Sequence, residues 1–187
     1  GCDSTATVIL TINNSSSSST SITACDSYTW NAVVHTTSGT YTTTGLTNAA
    51  GCDSTATVIL TINYSSSSSQ TITACGTYTW PQNATTYTSS GTYTYTGVNG
   101  SGCPHVYTLY LTITNLTVTA TPTGSIVCFG GTANVNVTAS GGTPPYIGIG
   151  SYSQGDGTTI YTVIDNNGCV GTASATLVAP AKVEGTT

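Results

Sequence analysis

The stretch GCDSTATVILTIN fills residues 1–13 and returns, letter for letter, at residues 51–63. It reads as a β-strand, because Thr, Val and Ile suit a pleated, half-buried surface. Each copy runs on into a serine run, Ser15 to Ser19 and Ser65 to Ser69. Then come TSITACDSYTW (20–30) and QTITACGTYTW (70–80), followed by SGTYTTTG (38–45) and SGTYTYTG (90–97). A decayed third copy of the opening stretch, GCPHVYTLYLTIT, lies at 102–114. The period is about 50 residues, a length that signals arrays, propellers or solenoids. A propeller needs at least four blades. Only two full units are present here, so self-contained modules on a string fit better. The expected boundaries are a half repeat at 1–14, β-modules at 15–64 and 65–114, a further module at 115–181 and a linker at 182–187.

The last module has another rhythm. Strands are expected near Leu116–Thr121, Thr132–Ala139, Tyr146–Gly150, Thr159–Asp165 and Thr172–Val178, separated by Gly-Gly, Thr-Pro-Pro and Asn-Asn-Gly turn signals. That spacing suits a small Greek-key sandwich of the immunoglobulin-like kind. The fold class expected for the whole chain is all-β: tandem small immunoglobulin-like β-sandwich modules, each stapled by one disulfide. The serine runs read either as linkers or edge strands, or as glycan-bearing segments.

Composition narrows the function classes. Roughly a third of the chain is Ser or Thr, far above ordinary usage. Charged residues make up 4%, with one Lys or Arg (Lys182), six acids and a net charge of −5. So little positive charge argues against nucleic acid, where affinity rests on neutralising phosphates. It argues equally against anionic membrane surfaces. No apolar run approaches the ~20 residues that span a bilayer, so no membrane insertion is expected. A signal peptide is not visible, and the chain reads as a mature or internal segment.

Seven cysteines stand at positions 2, 25, 52, 75, 103, 128 and 169. Regular spacing within the repeats predicts the pairs Cys25–Cys52, Cys75–Cys103 and Cys128–Cys169. Modules this small bury too little apolar surface to do without a staple. Closing loops of that length contributes about 3–4 kcal/mol in the chain-entropy model. Bonded cysteines imply an oxidising compartment, so the chain is expected to be secreted and extracellular or on a cell surface. Cys2 is left over. It closes a preceding module of a longer array, or residues 1–13 complete a module on a neighbouring subunit by strand addition.

Chemistry-bearing residues are few. No CxxC occurs, and His35 and His105 do not sit at zinc-ligand spacing with the cysteines. Asp165-Asn166-Asn167-Gly168 is too sparse for an EF-hand calcium loop, and Asp156 and Asp165 read as turn residues. Asp3 and Asp53 hold equivalent repeat positions. No Gly-x-Ser-x-Gly elbow is present, and the Gly-Gly pairs at 130–131 and 141–142 precede no helix that would cradle phosphate. Neither enzymatic activity nor a cofactor nor a metal is expected. One Lys for three modules cannot supply Lys–Asn isopeptide locks. Tyr28 and Trp30, with Tyr78 and Trp80, fall on one face of a strand in each repeat. They read as core, or alternatively as an exposed sugar-stacking platform.

GCDSTATVILTIN and TACDSYTWN resemble the tandem repeats of giant secreted surface proteins of Bacteroidota, over residues 1–114. SGGTPPY (140–146) and YTVIDNNGC (161–169) are similar to the repeat of gliding-motility adhesins of that phylum. The resemblance implies an exported, adhesive or fibrous protein. It also implies O-glycosylation at Asp-Ser/Thr signals, which points to Ser4 and Ser54. Asn-x-Ser/Thr motifs mark Asn83, Asn99, Asn115 and Asn136 as N-glycan candidates, a weak signal by itself. Covalent glycans would shield a surface with so little charge. The function expected is a structural segment of an extracellular fibre or adhesin stalk, associating with copies of itself or with tandem neighbours through residues 1–14. The alternatives are a carbohydrate-binding module using the Tyr/Trp faces, or a passive stalk of a larger secreted protein.

Overall fold

The computed structural model describes residues 1–183, so the expected linker falls outside the described residues from position 184 onward. It contains fifteen strands and, among the described residues, no helix. The chain separates into two compact units, residues 1–67 with 96–106, and residues 68–95 with 107 onward.

In the first unit, β1 (Ser16–Cys25), β5 (Asp53–Asn63) and β4 (Gly39–Thr47) form a sheet in the order β1–β5–β4. The short hairpin β2 (Tyr28–Trp30) and β3 (Val33–His35) stands beside it in sequence. β4 runs antiparallel to β5, whereas β1 runs parallel to it, with Ser16 opposite Ser54 and Cys25 opposite Asn63. A parallel pair needs a crossover of a dozen or more residues, here supplied by the hairpin and β4. The serine run is thus an edge strand. Alternation along β5 buries Val58, Leu60 and Ile62 and leaves Ile59 47% exposed. The identical residues 1–13 form no strand, and their Val8, Ile9, Leu10 and Ile12 are 73–91% exposed.

The second sheet, β6 (Ser66–Cys75), β10 (Pro104–Thr114) and β9 (Gly91–Val98), has the order β6–β10–β9, with a hairpin of β7 (Tyr78–Trp80) and β8 (Thr85–Tyr87). Its core is Trp80, Leu109 and Leu111, flanked by Ile72, Tyr78, Tyr87 and Tyr93. β11 (Leu116–Pro122), β12 (Ala133–Gly141) and β13 (Gly150–Gln154) form a third sheet, and β14 (Gly157–Ile164) pairs with β15 (Val170–Leu177). Val135, Val137, Tyr161, Val163, Ala175 and Leu177 fill the space between these strands.

The strand expected at Tyr146–Gly150 is not one. Only a single bridge joins Ile147 to Ile164, and the regular strand begins at Gly150. Gly148 explains the difference: its φ of +100° suits glycine, and a Cβ there would collide with the Thr162 carbonyl. Threonine abundance has a visible use as well. Thr hydroxyls meet across strands at Thr79–Thr86, Thr119–Thr138 and Thr158–Thr176, at 2.7–2.8 Å. Such cross-strand pairs stabilise a sheet by a few tenths of a kcal/mol or more.

Candidate functional site

Most of the cysteines are of two structural kinds. The first sits on a five-residue turn that occurs three times, as Asn48–Cys52, Asn99–Cys103 and Asp165–Cys169. In each, the first residue's N–H donates to the cysteine carbonyl, at 2.9, 2.8 and 3.0 Å. Its side-chain oxygen accepts from the N–H two residues on and from the cysteine N–H, at 2.8–3.0 Å. The fourth residue is glycine each time, with φ between +79° and +81°. Only glycine takes that conformation without strain, so the motif is Asn/Asp-x-x-Gly-Cys for a physical reason.

The second kind ends a strand. Cys25 closes β1 and Cys75 closes β6. The chain then turns through a positive-φ residue, Asp26 or Gly76, whose N–H donates to Asn63 or Thr114 respectively. Cys128 lies in a bend beyond the end of β11 and is exposed, so it belongs to neither kind.

Disulfides join one kind to the other, as Cys25–Cys103 and Cys75–Cys169, each with a Cα separation of 5.5 Å. Cys2, Cys52 and Cys128 are free. The pairing expected from spacing, Cys25–Cys52, Cys75–Cys103 and Cys128–Cys169, is therefore corrected. Parallel pairing is the cause. Cys25 lies opposite Asn63, at the far end of β5 from Cys52. Ten residues of strand put roughly 30 Å between them, whereas a disulfide requires about 4.4–6.8 Å between Cα atoms. Each bond instead runs from one sequence repeat to the following one, closing separations of 78 and 94 residues.

The pKa of Asp165 is displaced. Burial pushes its carboxyl up, but backbone N–H groups of Thr143, Cys169, Asn167 and Gly168 outweigh this, and it lies below the usual carboxylate value. Its Oδ1 accepts from the N–H groups of Asn167 and Cys169 within the turn and its Oδ2 from that of Thr143, so both oxygens are engaged by backbone donors. No group of three or more His, Cys, Asp or Glu gathers at metal-binding distance among the described residues. No helix there is long and apolar enough to cross a membrane.

In the structure His35 has a counterpart in Tyr87 of the second repeat. Its ring lies 6.4 Å from Trp30 and 3.8 Å from Tyr41, as that of Tyr87 lies 6.4 Å from Trp80 and 3.9 Å from Tyr93. The second hairpin is two residues longer, which hid the equivalence. His105 Nδ1 meets Ser66 Oγ at 2.7 Å. Trp80 is fully buried and has no face free for stacking, whereas Trp30 is half-buried. A cleft of about 90 Å³ lies against Trp80, between Ser69, Gln70 and Tyr107. Pockets for small ligands usually measure about 300–1,000 Å³.

No model of a known protein family matches the chain, and no curated protein matches it.

Among the glycan candidates, Asn115 and Asn136 are exposed. Asn83 donates to the Tyr87 hydroxyl. The Asn99 amide donates to Tyr64 O and Ser66 Oγ and is committed to the turn. Ser4 lies in the exposed opening segment, and Ser54 Oγ is hydrogen-bonded to Ser16 within the sheet.

Proposed function

We propose that this chain is a structural segment of a secreted fibre or adhesin stalk, made of small tandem β-modules related to immunoglobulin-like sandwiches. The observation that carries the reading is the stitching pattern, in which a cysteine closing the first strand of one repeat bonds the turn cysteine of the following repeat. Bonds of that kind do not hold a substrate or shape a pocket. They keep successive repeats in covalent continuity. Two disulfides also suit an oxidising compartment outside the cell. Threonine-lined strands with few charges allow close lateral contact or a glycan cover, with Asn115, Asn136 and Ser4 the accessible acceptors. The exposed apolar residues of 1–13 supply a surface for association with another copy or with a neighbouring module.

The test is negative-stain imaging together with intact mass, with and without reduction. Filaments, with added mass in hexose-sized steps, support the reading. A bare monomer of 18.8 kDa that forms no assemblies at high concentration opposes it.

A further inference from the structure

The second repeat differs from the first around its tryptophan. Both repeats carry one, but Trp80 is fully buried while Trp30 is half-buried. Long polar side chains beside Trp80 have no equivalent in the first repeat. Gln70 stands where the first repeat has Thr20, and Tyr107 where it has Ala56. Gln82 lies in the two residues by which the second hairpin is longer. These three, together with Ser69, Thr108 and Trp80 itself, line the cleft of about 90 Å³. Strand alternation puts Gln70 on the same face of β6 as Ile72 and Ala74, which pack on the Trp80 core. Gln70 Nε2 and Trp80 Nε1 are both buried, and neither has a hydrogen-bond partner in the protein. Buried donors are as a rule paired, because leaving one unpaired costs more than a typical bond returns. Two such donors, on two residues that line one cleft, point to a guest that brings an acceptor.

We propose that this cleft of the second repeat binds the acetamido group of an N-acetylated amino sugar. The chemistry of the lining selects that group. An indole N–H can only donate, and the glutamine NH₂ donates beside it, so the guest supplies a carbonyl oxygen to the pair. The walls are hydroxyl, amide and aromatic groups, and the chain carries a net charge of −5. An anionic guest would lose its water there with no cation to meet it, so the guest is neutral. Size decides the rest. The cleft is about three times a water's share of liquid volume, which is about 30 Å³. That is room for a carbonyl and a methyl, but not for a sugar ring. The ring stays at the mouth, where Ser69 and Gln82 are exposed and offer partners to its hydroxyls. An acetylated lysine presents the same group on an aliphatic stem, which a rim of hydroxyls and amides does not favour. Trp80 contributes the edge of its indole rather than a face.

The site goes beyond the fibre reading and does not depend on it. The test is a titration of the whole, isotope-labelled chain with triacetylchitotriose, and with cellotriose as the same run of rings without acetamido groups. The indole N–H resonances of Trp30 and Trp80 are told apart with a Trp30→Phe variant and followed by NMR. Triacetylchitotriose should shift the Trp80 resonance and leave that of Trp30 in place, and cellotriose should shift neither. Gln70→Thr installs the residue of the first repeat, so the fold tolerates it, and should weaken binding about five- to tenfold. An unchanged Trp30 resonance in that variant shows that the chain is still folded. Equal responses to the two sugars would overturn the acetamido assignment, and tighter binding of N-acetyl-lysine would overturn the sugar. Undiminished binding by Gln70→Thr would place the sugar elsewhere. A Trp80 resonance that stays still with every guest would overturn the site, its donors then being served by water alone.

Discussion

Asp165 does for its turn what Asn48 and Asn99 do for theirs, with one addition: its second oxygen accepts the N–H of Thr143. The carboxylate form is favoured by those donors, so its folded pKa lies below its ordinary value. The sign of the effect follows from linkage. A depressed carboxyl contributes stability above its unfolded pKa, about 3.9, and loses it as pH falls through the folded value. Denaturant unfolding of the second unit should therefore be nearly independent of pH above about 5 and weaken in acid below about 4. Asp165→Asn keeps an oxygen for the Cys169 N–H, as Asn does in the other two turns, and should flatten this acid dependence. An unchanged acid slope in that variant would show that another group governs it.

Two identical strand sequences with different burial provide a direct comparison at the level of the element. Leu60 is 2% exposed within β5, while Leu10, its equivalent in residues 1–13, is 76% exposed. Leu60→Ala should cost about 2–5 kcal/mol by leaving a cavity, and Leu10→Ala in the monomeric chain less than about 0.5 kcal/mol. Urea unfolding of the two variants measures both, and equal losses would contradict the difference in burial. The strand character of GCDSTATVILTIN was legible because alternation and β-branching are local properties. What was hidden is the partner. Nothing in the sequence says whether β1 lies parallel or antiparallel to β5, and that choice moves Cys25 from one end of the sheet to the other. Spacing alone therefore led to the wrong cysteine. The equivalence of His35 and Tyr87 is hidden for a similar reason, since a two-residue difference in hairpin length puts them out of register in the sequence. The Asn/Asp-x-x-Gly-Cys turn, by contrast, was present three times in the letters and could have been found by aligning backward from each cysteine.

For the molecule as a whole, the two disulfides close separations of 78 and 94 residues, longer than pairing within each repeat would close. In the chain-entropy model each contributes about 4–5 kcal/mol. Non-reducing digestion should yield Cys25–Cys103 and Cys75–Cys169 peptides, and reduction should lower the unfolding midpoint substantially. A recovered Cys25–Cys52 peptide would contradict the parallel register. That register has a further consequence. Because β1 and β5 run the same way, the entry to β1 at Ser16 and the exit from β5 at Asn63 lie at opposite ends of one paired ribbon. Tension applied between those two points slides one strand along the other, so every hydrogen bond in the ribbon is strained at once instead of being peeled open in succession. The serine-rich edge is in this sense a shear clamp, and its resistance to pulling comes from the direction of the backbone rather than from the size of any core.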